Sequence, residues 1–247
     1  MTFEPVDRSV QVGGLALHYR ETGPAAGLPV VALHGHPGSA ATWDGVAAGV
    51  CAAGDYRVLA LTQRGYGRSG RVGPYTLPTY AEDLLGFVAA LGLERFVLLG
   101  HSMGGTVAAL AAERLAAERG PAGLLGLVLE DSVIPREGVH LPVPERPQQP
   151  ESVPYDWELV PQIYAQLEAP DPAWWSGLAR IEVPTLVIAG GPTSHVPQDV
   201  LADAAALMPR ARLVTLEGAG HSVHRDALGP FLSELTGFLR TVRPASG

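Results

Sequence analysis

The chain contains no lysine and no asparagine. Without lysine, mechanisms that run through a Schiff base are excluded. Without asparagine there is no acceptor for N-glycosylation. Cysteine is nearly absent. Cys51 stands alone, so no intrachain disulfide exists, and its place on an apolar helical stretch makes it a buried, inert side chain. No apolar run is long and uninterrupted enough to span a bilayer. The N-terminal stretch Met1 to Arg8 lacks the basic and apolar regions of a signal peptide. Positive charge is in deficit, with a formal net charge of −8 at pH 7, which argues against nucleic acid or an anionic membrane as partner. The expectation is a cytoplasmic protein acting on a small molecule.

What is present suffices for a sizeable core. The 247 residues are 47% hydrophobic and 17% charged, ordinary for one globular domain spanning 1–247. Short continuous apolar runs recur at Val30–Leu33, Val58–Leu61, Phe96–Leu99, Leu127–Leu129 and Thr185–Ala189. Such runs read as strands buried on both faces. Leu15 to Glu21 alternates and reads as an edge strand, and Arg212 to Leu216 as the last strand. Between them lie helix-compatible stretches at Ala41–Cys51, Thr79–Leu91, Met103 to about Arg119, Pro197–Met208 and Gly229–Val242. Alternation of this kind predicts an α/β fold, with a mostly parallel central sheet and helices on both faces.

One segment breaks the rhythm. Residues 134–175 are rich in proline and glutamine and carry Trp157, Trp174 and Trp175. Within it, Asp156 to Leu167 reads as one short helix with Asp156 as its cap. A long irregular insertion in a compact domain is usually functional, and this one reads as a lid. Trp157 and Trp174 are the expected apolar wall for substrate.

The most informative stretch is Gly100-His101-Ser102-Met103-Gly104-Gly105, between the apolar run Phe96–Leu99 and the helical Thr106–Ala112. Strand, abrupt turn and helix with a serine at the apex make a nucleophile elbow. Glycines two before and two after the serine let strand and helix approach closely. A serine hydroxyl needs a base, and the base needs a third group to orient it. His221 follows the last strand in Gly218-Ala219-Gly220-His221, and His224, three residues on, is its rival. The loop His34-Gly35-His36-Pro37-Gly38-Ser39 follows a buried strand, where the second oxyanion donor belongs. The donors would be the backbone N–H groups of His36 and Met103. For His34 the expected role is to bond the loop backbone. His34 and His36 lack a surrounding carboxylate or cysteine set, so no metal is expected.

Together these residues resemble the α/β-hydrolase superfamily, over nearly the whole chain. His34-Gly35, the turn Gln63-Arg64-Gly65-Tyr66-Gly67-Arg68-Ser69, the elbow, and Gly218-Ala219-Gly220-His221 fall in that family's order and spacing. The family commonly has an aspartate before the arginine-glycine turn, where this chain has Thr62-Gln63. In most members the triad acid follows the penultimate strand. Here that turn reads Gly190-Gly191-Pro192-Thr193-Ser194-His195, with no carboxylate before Asp199. Some members carry the acid one strand earlier, and at that place this chain has Glu130-Asp131. Alternation sends adjacent side chains to opposite sides, so only one can face the histidine. Aligning the strand with the family puts Asp131 there, with Glu130 as the alternative. His195, in the turn without its acid, reads as a polar loop residue.

The resemblance implies a cofactor-free hydrolase of a small, apolar, ester-like substrate, with Ser102, His221 and Asp131 as triad. Lactones, thioesters or a carbon–carbon bond beside a ketone would suit the same apparatus. Alternatives are a cofactor-free haloperoxidase, a non-hydrolytic biosynthetic enzyme, and a slow-turnover receptor-like module, the last suggested by the displaced acid.

Overall fold

The computed structural model describes residues 3–119 and 123–243. Met1 and Thr2 of the segment read above for a leader, and the last residues of the expected domain, lie outside the described residues. Eight strands follow in chain order: β1 (Val6–Val12), β2 (Leu15–Thr22), β3 (Leu28–Leu33), β4 (Tyr56–Leu61), β5 (Phe96–His101), β6 (Leu124–Glu130), β7 (Thr185–Ala189) and β8 (Ala211–Thr215). They form one sheet in the order β1-β2-β4-β3-β5-β6-β7-β8. The pairs β1–β2 and β2–β4 are antiparallel, and every other pair is parallel. Helices α1 (Asp44–Ala53), α2 (Leu77–Ala90), α3 (Met103–Arg119), α4 (Leu159–Glu168), α5 (Pro172–Gly177), α6 (Gln198–Leu207), α7 (Val223–Asp226) and α8 (Leu228–Val242) complete the fold.

Every residue of β5 and β7 is buried, which explains their unbroken apolar sequence. Alternation along each strand feeds two cores. Val31, Leu33, Leu98, Leu127 and Leu129 face the core shared with α2, α3 and α4. Val30, Ala32, Val97, Leu99 and Val128 face the other, with α1 and α8. Burial of these apolar side chains on both faces is the main stabilising term; truncating one of the leucines to alanine costs about 2–5 kcal/mol.

The structure corrects several sequence expectations. Leu15–Thr22 is not the edge, because β1 lies outside it, joined through Gly13 and Gly14 at φ +56° and +86°. That backbone suits the tight two-residue turn of a hairpin. The outer strand is exposed and charged, which discourages pairing with another sheet. Helix α2 starts two residues early, where the Thr76 side chain accepts the N–H of Thr79. Asp156 does not cap α4 directly. Its carboxylate takes the N–H of Glu158, and the helix begins at Leu159. Trp174 and Trp175 lie on α5, a helix capped by Asp171 and absent from the sequence reading.

Candidate active site

The carboxyl ends of the parallel strands converge on one edge of the sheet, where α/β folds collect their functional side chains. The loop 34–39 leaves β3, Ser102 leaves β5, Asp131 leaves β6, the turn 190–197 leaves β7, and the loop carrying His221 leaves β8.

Ser102 has φ +53°, in the left-handed region that side chains avoid. Its surroundings hold it there. Its N–H donates to the Glu130 carbonyl at 3.0 Å, and its carbonyl accepts from Gly105 and Thr106 in the first turn of α3. The flanking glycines are required by contact. A Cβ on Gly100 would stand 2.4 Å from the Gly104 carbonyl oxygen, and one on Gly104 would stand 2.5 Å from that of Leu33. Strained backbone maintained by its neighbours is typical of functional positions.

Ser102 opens into a cavity of about 510 Å³ that His36, Met103, His195 and His221 also line. Its remaining wall is apolar, including Val133, Leu141, Tyr155, Ile163, Tyr164 and Leu167. Most of that wall comes from segment 134–175. Trp157 and Trp174 are not among the lining residues. Trp157 is half-buried, its ring 6.3 Å from that of Tyr155, and Trp174 sits in a crevice against Thr106, Ala109 and Leu110 of α3. The segment's tryptophans fasten it to the body, and its smaller side chains reach the cavity.

The acids Glu130 and Asp131 diverge, as alternation requires. Asp131 Oδ2 lies 2.8 Å from His221 Nδ1. Glu130 points to the other side and pairs with the ring of His224 at 2.8 and 3.0 Å. The structure therefore joins Asp131 with His221, and both candidate acids with a histidine each. Asp131 is fully buried, at φ +39°. It also accepts from the Gly190 N–H at 2.9 Å, Gln198 Nε2 at 3.2 Å and the Ser194 hydroxyl. Burial raises the Asp131 carboxyl, but hydrogen bonds from His221, Ser194, Gly190 and Gln198 outweigh it and hold the group below the usual carboxylate value. The turn that lacks the expected acid thus supplies donors to the acid one strand away. Thr193, which occupies the usual acid position, makes none of these bonds; its neighbour Ser194 does. The sequence reading missed Ser194, in that turn, and Gln198, the first residue of α6.

Three other groups shape the site. His34 Nδ1 bonds the Gly35 carbonyl at 2.8 Å while its Nε2 accepts the Gln63 N–H at 3.1 Å. Gln63 in turn donates to the His34 carbonyl at 2.7 Å, so the amide that replaces the family's aspartate braces the loop. The Tyr66 hydroxyl lies 2.9 Å from His36 Nδ1 and 3.7 Å from Met103 Sδ, spanning the two residues expected to supply oxyanion donors. Among the described residues, the backbone N–H groups of His36 and Met103 have no protein acceptor. His101 Nε2 donates to the His221 carbonyl at 2.9 Å.

His101, Glu130 and His224 bring ligand-type atoms within 4.8 Å of one another, a grouping that no spacing in the sequence suggested. Hydrogen bonds already occupy it, through His224 to Glu130 and His101 to the His221 carbonyl.

Comparison with known proteins agrees with this fold. The model of the alpha/beta hydrolase family matches residues 30–233. The chain belongs to the α/β-hydrolase family. A non-heme chloroperoxidase of Streptomyces lividans is 42% identical over 93 residues, 37% of this chain and 33% of that protein. The first curated relatives it matches are thus spanned over only about a third to two-fifths of their length. An sn-1-specific diacylglycerol lipase of Mus musculus, ABHD11, is 28% identical over 91% of this chain and 85% of its own. The crystal structure of an esterase, RhEst1, from Rhodococcus sp. ECU1013 superposes with a TM-score of 0.77 at 26% identity, covering 98% of this chain and 100% of that one. This α/β-hydrolase has no helix among its described residues long and apolar enough to cross a membrane.

Proposed function

We propose that this chain is a serine hydrolase that cleaves the carboxylic ester of a small apolar acyl group. The observation that carries this reading is the Asp131–His221 bond of 2.8 Å, beside a cavity into which Ser102 also opens. With Nδ1 held by the carboxylate, Nε2 of His221 is the ring nitrogen left to take the Ser102 proton. Ser102 Oγ then attacks the acyl carbon, and the N–H groups of His36 and Met103 hold the oxyanion. His221 returns the proton to the leaving oxygen, and water later frees the acyl group by the same route. Serine rather than a carboxylate at the elbow disfavours the chemistry of epoxide hydrolases and dehalogenases. Among the described residues, no aspartate, glutamate or arginine lines the cavity, which suits an uncharged acyl chain.

Segment 134–175 serves as the lid of this cavity in our reading. It is tied down on one side: the Tyr75 hydroxyl donates to Asp156 at 2.6 Å, and Gln162 and Gln166 accept the N–H groups of Tyr75 and Leu77. A fluorophosphonate that labels activated serines, read by intact mass, tests the proposal. We expect one label per chain, located on Ser102, together with hydrolysis of short acyl esters. Loss of hydrolysis in Ser102→Ala by about 10⁴-fold or more is the expected companion result. An unlabelled wild-type protein, or a Ser102→Ala protein that keeps a tenth of the turnover, removes serine catalysis.

A second reading, a cofactor-free haloperoxidase, is favoured by the partial identity to the Streptomyces chloroperoxidase. Halogenation of a phenol indicator with hydrogen peroxide and bromide, absent in Ser102→Ala, would support it.

A further inference from the structure

His221 stands between two cavities. The first holds Ser102 and is walled by the apolar segment described above. The second, of about 620 Å³, lies between the loop after β3 and the loop after β8, against α1 and the start of α8. The two share His36, Pro37 and His221, but Ser102 opens only into the first. The second wall has its own apolar part in Pro37, Val46 and Leu228, but it carries more polar side chains than the first. The second presents His101, His224, Thr42, Ser222 and the rim residue Arg225.

We propose that the second cavity receives the alcohol part of the ester, and that this alcohol is a polyol of glycerol or sugar type. The proposal rests on the serine hydrolase reading. In acylation the bond from Ser102 Oγ to the acyl carbon forms, and the bond from that carbon to the alkoxy oxygen breaks. The Ser102 proton travels through His221 to the departing oxygen. That oxygen must therefore lie against His221, whichever acyl group is bound. The leaving oxygen starts beside Ser102, and the two cavities share His36, Pro37 and His221, so an alcohol that runs past these residues, away from the apolar chain in the first cavity, enters the second.

The walls point to uncharged polar groups. Burial pushes His101 and His36 down to about 4, so both stand neutral at pH 7; His101, whose Nε2–H is given to the His221 carbonyl, keeps Nδ1 as an acceptor, and His36, whose Nδ1 pairs with the Tyr66 hydroxyl, keeps Nε2. The Arg225 guanidinium is matched by the Asp226 carboxylate at 2.9 and 3.2 Å. No unmatched cation therefore waits for an anionic alcohol. Hydroxyl groups, which donate and accept, suit imidazoles and side-chain hydroxyls better than a hydrocarbon or a carboxylate does.

Gly45 offers the test. It lies on α1 at the cavity wall, and a Cβ there would meet only Leu228 Cδ2, at 3.7 Å, ordinary contact. Gly45→Trp should fill the cavity without touching Ser102, His221 or Asp131. In Ser102→Ala protein, methyl β-glucoside should shift the imidazole NMR signals of His101 and His224, and Gly45→Trp should abolish the shift. This measurement is independent of turnover. With the acyl group fixed as octanoyl, kcat/KM for the glyceryl ester should exceed that for the cyclohexyl ester. Gly45→Trp should lower the glyceryl value by about tenfold and leave the methyl ester unchanged. Phosphonate labelling of Ser102 in Gly45→Trp at the wild-type rate guards against a folding defect. Absence of any glucoside shift, or an anionic glycoside that binds more tightly, overturns the polyol assignment. Gly45→Trp slowing methyl and glyceryl esters alike overturns the alcohol site. Phosphonate labelling of Ser102 in wild type separately reports on the hydrolase reading.

Discussion

Glu130 accepts twice from His224, through the ring Nδ1 at 2.8 Å and through the backbone N–H at 2.7 Å. One residue later, Asp131 does the same service for the His221 ring. Two adjacent acids thus hold two histidines three residues apart, on opposite sides of the strand end. Of the two histidines, only His221, held by Asp131, lines the cavity that contains Ser102, so the roles of the two carboxylates can be tested separately.

Asp131→Asn should reduce kcat for ester hydrolysis by about 10³–10⁴, because the amide leaves the imidazolium without a countercharge and favours the wrong tautomer. Glu130→Gln should act on stability instead. It removes a buried charged acceptor and places an amide N–H near donors, at about 1–3 kcal/mol. Steady-state kinetics and urea unfolding of both variants separate the roles. Near-normal kcat in Asp131→Asn, with a dead Glu130→Gln, would transfer the triad role to Glu130.

The opposite placement of the two acids was readable beforehand. The buried strands and the glycine-flanked serine are sequence patterns of short range, and the parity of Glu130 and Asp131 follows from the pleat. What was not readable is what crosses between loops. Ser194 and Gln198 reach Asp131 from a different strand end, and no local pattern marks them as donors. The tryptophans were misplaced for a related reason. A large apolar side chain on an insertion satisfies itself equally by lining a cavity or by anchoring the segment, and only packing decides. The first strand was overlooked although Gly13-Gly14 between two extended stretches is a hairpin signal.

Ser194→Ala should raise the Asp131 carboxyl pKa, since it removes one of the bonds that offset burial. The sign is definite. A carboxyl depressed in the folded state adds stability that is present above its unfolded value and lost as pH falls through the folded one. Removing a donor narrows that window from below. Carbon-13 NMR of labelled aspartate in Ser194→Ala and Thr193→Ala follows the change. Thr193→Ala should be silent, and an equal shift in both variants would show that the turn acts as a whole rather than through Ser194.

Acid should destabilise this protein well above the carboxylate range. Burial is the leading cause that moves His34 and His101 from 6.5 down to about 4. Between these values the unfolded chain binds the protons and the folded chain does not, so stability falls as pH drops. The contribution is fully present above about pH 6.5 and used up near pH 4, on the order of 3 kcal/mol for each ring. Urea unfolding at pH 7, 5.5 and 4.5 should show a steep decline. His101→Gln, which keeps a donor toward the His221 carbonyl but cannot titrate, should show a shallower one. Parallel declines in the two proteins would place the acid sensitivity elsewhere.

The acyl preference should follow the residues that line the cavity rather than the tryptophans. Leu167 and Tyr164 face the Ser102 cavity from α4, while Trp157 lies outside its wall. Filling the far wall with Leu167→Phe should shorten the preferred acyl chain and raise KM for longer esters. Tyr164→Ala should widen the range, with the methyl ester of a short acid little changed. Trp157→Ala should lower stability by about 3–5 kcal/mol at most, through lost packing of a half-buried ring, while kcat and KM across the acyl series stay close to wild type. The comparison discriminates between anchoring and substrate contact because the two roles act on different quantities. An acyl preference that moves with Trp157→Ala and ignores Leu167→Phe would mean that the segment rearranges on substrate binding and brings its tryptophan into the cavity.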